Sequence, residues 1–268
     1  MNEKNFEYLK DQVKYTGFGE GLESELKENM QKEEPNFTLN YTAKYGDDTA
    51  QATLNFKKST ESDIYFFNSY KVELHKDDSK EALEQTFYIN KASNITMKEA
   101  YNLMEGRAVN KDLINKEGEL HNSWLQIDFK QADDTTGNFK LNQYHQNYGY
   151  DLEATLSKHP IKELQNPKYK EDLINSMKKG NLQSATFLKG GIEVKQYIEA
   201  SPQFKTINVY DSNIQRVGNR HAKEEKQSEG EEVSVKQNNR KQNQTSDDDG
   251  PEVPKEAKKK RKSQSSSM

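Results

Sequence analysis

The chain has 268 residues, 31% hydrophobic and 31% charged, with a formal charge of −4 and no cysteine. The missing cysteine excludes disulfides, thiolate nucleophiles and Cys-ligated zinc. No apolar run approaches the roughly 20 residues of a membrane helix, and the N-terminus MNEKNFEYLKDQ has no signal-peptide core, so a cytoplasmic protein is expected.

From the start, Phe6, Leu9 and Val13, then Leu22, Leu26 and Met30, recur at helical spacing, which predicts a helix over 6–32 interrupted at Gly17, Gly19 and Gly21. No strand precedes the glycines and no Lys-Ser/Thr follows, so they read as a turn between helices and not as a phosphate loop. Strict alternation then predicts an antiparallel meander: Phe37 to Tyr45, a Gly46-Asp47-Asp48 turn, Ala50 to Phe56, Ile64 to Leu74, and a short strand from Thr86 to Ile89. Its buried face is expected to lie under the N-terminal helices.

Thr96 and Glu99 form a capping-box pattern that opens a helix with Ala100, Leu103 and Met104 as its apolar stripe, stopped by Gly106. Strands at Trp124 to Phe129 and Phe139 to Tyr144 follow, then a helical stretch from Asp151 to His159. Pro167 is placed to begin a helix through Met177, ended by Gly180. Three strands remain, at Ser184 to Leu188, Glu193 to Ile198 and Phe204 to Tyr210. The stretches around LMEGRAVNKDL…GNFKL and SMKKGNLQSATF…PQFKTINVY share an order: helix end, Gly, strand, Gly-containing turn, strand, and a last strand led by Phe-Lys. A duplicated helix-plus-hairpin unit would produce that order, and so would convergence of two short units.

The last of 14 Tyr and 11 Phe is Tyr210, and beyond Val217 almost nothing is able to enter a core. Of the 40 Lys/Arg and 44 Asp/Glu, 12 and 10 lie in the remainder, so the body carries about −6 and the tail about +2. Like-charge blocks in a Gln/Asn/Ser background predict disorder over 218–268. The expectation is therefore an α+β protein: helices and meander over 1–94, a smaller and duplicated-looking helix–hairpin region over 95–217, and a disordered charged tail.

The series YTGFGEGLE, FFNSY, QTFYINK, LMEGRAVNKDL, WLQIDF, QYHQNYGYDLEATLSKHPIKEL, KKGNLQSATF and EASPQFKTINVYD resembles a family of hypothetical Bacteroidetes proteins associated with conjugative elements and related mobile DNA. The C-terminal repeat also resembles a degenerate copy of a widespread domain of unknown function in those bacteria. The resemblance implies a mobile-element context, and it implies no catalytic residue and no cofactor.

Several residues nominate themselves for chemistry. Tyr144, His145, Tyr148 and Tyr150 make a dense polar-aromatic stretch of the kind that stacks on ligands, or a turn packed by tyrosines. His145 with Asp151 and His159 would serve an acid–base or metal site if the fold joined them, although their spacing matches no common metal signature. Arg107, just past a helix end, either binds the terminal carbonyls or grips an anion. Lys178 and Lys179 are explained by the dipole of their helix. Trp124 alternates against Leu125 and Ile127 and is expected on the less buried face, as an interface residue. Lys258, Lys259, Lys260, Arg261 and Lys262 form a cation run that attracts polyphosphate or simply solubilises the tail. No common catalytic or cofactor motif occurs, so the leading reading is a non-catalytic accessory protein that binds a protein or nucleic acid. A nucleic-acid-modifying enzyme and an inhibitor of host defence stand as alternatives.

Overall fold

The computed structural model describes residues 1–217 apart from 78, 80, 91–93 and 116. Three antiparallel sheets and five α-helices account for most of it, so the fold is α+β. Among the described residues no helix is long and apolar enough to cross a membrane.

Helices α1 (Glu3–Val13) and α2 (Glu23–Gln31) are separated by a kink over Lys14–Phe18, where Gly17 takes φ +96°. That conformation favours glycine, and a Cβ there would lie 3.2 Å from the Met97 amide nitrogen, so the kink is also a close approach. The apolar stripe of these helices, Phe6, Leu9, Val13, Leu26 and Met30, is buried against the first sheet. This sheet runs β1 (Asn36–Tyr45), β2 (Asp48–Lys58), β3 (Tyr65–His75) and β4 (Leu83–Tyr88), each antiparallel to its neighbour. The alternation read in the sequence is its inner face: Leu39, Ala52, Leu54, Tyr70, Val72 and Leu74 are each 2% exposed or less. A shift in register between Asn55 and Phe56 keeps Phe56 and Phe67 on that face.

Helix α3 (Met97–Met104) carries the capping box read from Thr96 and Glu99. A second sheet follows, β5 (Val109–Ile114), β6 (Leu120–Ala132) and β7 (Phe139–His145). Two helices come next, α4 (Leu152–Leu156) and α5 (Pro167–Lys178), then a third sheet of β8 (Gln183–Lys189), β9 (Ile192–Ser201) and β10 (Thr206–Tyr210). The predicted helix from Asp151 to His159 is thus shorter at its C-terminal end. The last strand begins at Thr206 because Phe204 closes a 3-10 turn and Lys205 adopts φ +52°.

The first apolar cluster runs past position 94. It takes in α3, Val109, Leu125 and Ile127 as well as the N-terminal helices and sheet. A second cluster joins Trp124, α4 and α5 to Phe187, Ile198 and Ile207 of the third sheet. Strand β6 serves both, Leu125 and Ile127 on one face and Trp124 on the other, so the middle sheet is a layer covered from two sides. This corrects the expectation for Trp124. It does occupy the less buried face, yet α4, α5 and Tyr150 cover it, leaving it 6% exposed and no open interface residue.

Candidate anion-binding cleft at Arg107

At the end of α3, Gly106 turns at φ +80° and the Arg107 backbone N–H donates to the Asn102 carbonyl at 3.0 Å. Main-chain bonds therefore close this helix, and the guanidinium is left for other work. Its Nη2 donates to the Asn102 side-chain oxygen at 2.8 Å, Nη1 lies 3.6 Å from Glu105 Oε2, and the buried Nε has no acceptor among the described residues. Asn102 is fully buried, and its amide nitrogen donates to the Lys179 carbonyl (2.7 Å) and to Asn181 Oδ1 (3.0 Å). One asparagine thus ties the ends of α3 and α5 together and aims Arg107.

The guanidinium faces a cleft of about 580 Å³ formed by the β1–β2 turn, α3 and the chain after α5. Tyr45 and Tyr101 stack there with centroids 4.2 Å apart, and Lys98 Nζ lies 4.3 and 4.6 Å from the two centroids. The Arg107 guanidinium carbon is 5.3 Å from the Tyr101 ring, and Lys44 also lines the cleft. Both Lys98 and Arg107 are drawn to the negative ring faces. Burial, reinforced by the neighbouring Arg107 charge, holds the Lys98 ammonium below its usual range. Burial likewise pushes the Tyr45 and Tyr101 phenols up to about 12, so both remain protonated donors at neutral pH. Tyr101 donates to Asp48 Oδ2 at 3.0 Å, which fixes the ring. Glu105 already opposes part of the Arg107 charge and the Tyr101 hydroxyl is committed to Asp48, so Lys98, Lys44 and the protonated Tyr45 phenol are the groups left to meet an anion at the rim of this partly desolvated recess.

The sequence nominated Arg107 here and missed its companions. Tyr45 reads as one more alternating strand residue, but Lys98 and Tyr101, three apart on α3 with Tyr101 at the edge of its buried face, were an available signal.

The other nominees lie elsewhere. His145 ends β7 with Nδ1 3.3 Å from Ser123 Oγ and its ring stacked on His121 at 4.9 Å. Asp151 caps α4 by accepting from the Ala154 N–H, and His159 meets Phe187 edge-on. Among the described residues no hydrogen bond joins these three, and no group of three or more His, Asp or Glu is placed to hold a metal. Tyr148 and Tyr150 act as struts: their hydroxyls donate to the carbonyls of Gln203 (2.9 Å) and Thr206 (3.0 Å). Tyr144 packs on Tyr148 at 5.2 Å, and Lys205 lies 4.6 Å from the Tyr148 ring. Trp124, Tyr150 and Asp151 border a separate hollow of about 470 Å³. The Lys258 to Lys262 run, and with it the expected disordered tail, lies outside the described residues.

In comparisons with known proteins the chain matches no family model, no curated protein and no solved structure.

Proposed function

We propose that this chain is a non-catalytic, cytoplasmic accessory protein of a mobile genetic element and that it binds nucleic acid through the Arg107 cleft. The carrying observation is the packing of Lys98 and Arg107 on the stacked Tyr45–Tyr101 pair, with Lys44 on the wall of the same cleft, in a body whose net charge is negative. Cations gathered at one place on an acidic surface match a local polyanion contact and not a broad electrostatic one. The mobile-element context comes from the sequence resemblance. We read the α3–β5–β6–β7 and α5–β8–β9–β10 runs as two copies of one unit, a reading supported by their shared order and by Gly106 and Gly180 at φ +80° and +78° after the two helices.

The test is fluorescence anisotropy of a labelled single-stranded oligonucleotide titrated with the full-length chain across a salt series. Replacing both Lys44 and Lys98 by Gln should weaken binding about tenfold at low salt and flatten the log–log salt slope by about 0.7 for each phosphate no longer neutralised. Deleting residues 255–268 is the parallel arm. Binding that disappears with that deletion and ignores the Lys44/Lys98 change would transfer the function to the basic run.

A further inference from the structure

Strands β4 and β7 are edges of different sheets, and side-chain amides join them in place of a ladder. The Gln85 carboxamide clasps the main chain of Phe139: its Nε2 donates to the carbonyl at 3.2 Å, and its Oε1 accepts the N–H at 2.9 Å. Asn138 Oδ1 accepts the Thr86 N–H at 2.8 Å. Gln85 is only 6% exposed, so both ends of its amide are committed inside the protein. A side chain interposed in this way holds the two edges further apart than the roughly 4.8 Å of directly paired strands.

Behind the clasp the walls leave a pocket of about 330 Å³. Phe87 and Leu125 form its buried floor, while Ile95, Leu113, Phe139 and Leu141 line it half-buried, their apolar surface incompletely covered. Two exposed carboxamides, Asn90 and Gln143, stand at its mouth. Among the described lining residues there is no carboxylate, no histidine and no cation.

We propose that this wedge is a binding site for a small, uncharged, largely apolar molecule carrying one hydrogen-bonding group. Its volume falls at the small end of the roughly 300–1,000 Å³ found for ligand sites, and its pattern of apolar walls with a few polar groups is theirs. A charged ligand would be desolvated here without a partner, whereas an apolar one covers the four half-buried side chains. The carboxamides of Asn90 and Gln143 each offer a donor and an acceptor to the ligand's polar end. The wedge shares no lining residue with the Arg107 cleft, so either site stands without the other.

The probe is the neutral dye N-phenyl-1-naphthylamine, whose fluorescence rises in apolar surroundings, titrated into the full-length protein. Saturable one-to-one binding is expected, with the sulfonated analogue 8-anilino-1-naphthalenesulfonate about tenfold weaker because its charge goes unpaired. Leu141→Trp fills the wedge and should abolish the saturable phase. In the unaltered protein, the neutral dye should shift the backbone NMR signals of Leu113, Phe139 and Leu141, a readout that needs no variant to fold. No saturable phase, equal affinity for the two dyes, full affinity in a folded Leu141→Trp protein, or shifts confined to other residues would each overturn the proposal.

Discussion

Gly180 and Gly106 end two helices with nearly the same backbone, φ +78° and +80°, but they sit in different surroundings. A Cβ on Gly180 would meet Val109 Cγ2 at 2.9 Å, Asn102 Cβ at 3.0 Å and the Ala108 carbonyl at 3.1 Å, whereas one on Gly106 finds only Phe129 at 3.6 Å. Gly106→Ala should therefore cost only the left-handed backbone strain, about 1–2 kcal/mol, and Gly180→Ala should add overpacking for a total of about 2–5 kcal/mol. Urea denaturation of the two variants measures the difference. His159 makes a second prediction. Burial, with Lys158 adding to it, lowers its pKa from the ordinary 6.5, so the folded protein binds that proton less readily than the unfolded chain. Its contribution is then fully present above about 6.5 and is lost as pH falls through the lowered folded value. His159→Phe should flatten the fall in melting temperature as the pH drops below about 6.5.

Helix α3 shows what an element gains from its caps. Thr96 accepts from the Glu99 N–H and Glu99 Oε2 accepts in return from the Thr96 N–H, and Lys111 pairs with Glu99 at 3.0 Å. Thr96→Ala should destabilise the protein by about 1 kcal/mol, and circular-dichroism melting would read it. This helix was legible because a cap is a local device written in adjacent residues. The first sheet was legible for a related reason, since period-two alternation directly records one buried face. Strand β6 was legible as a strand over 124–129 but not as a layer covered from both sides: Leu125 and Ile127 gave a readable stripe, but nothing near Trp124 in sequence announces that α4 and α5 will cover it. The same limit hid the cleft. Lys98 and Tyr101 lie on the helix that Arg107 follows, but Tyr45 joins them only through the β1–β2 turn, and the Asn102 tie that aims Arg107 reaches Lys179 and Asn181 across 77 and 79 residues of chain.

Across the whole molecule, a body with about six excess negative charges gathers three cations and two raised-pKa tyrosines into one recess. General acidity sets the protein against indiscriminate polyanion binding, so affinity should reside in the cleft and be salt-sensitive through a few phosphates only. The direct measurement is anisotropy of a single-stranded oligonucleotide at low and physiological salt, comparing the unaltered chain with Lys98→Gln, which removes the cation from the Tyr45–Tyr101 pair. Affinity at low salt should fall about threefold to tenfold and the salt slope should become shallower by about 0.7, in a variant whose cooperative thermal unfolding shows that it is folded. Equal affinity and equal slope in the two proteins would contradict a nucleic-acid site at Arg107.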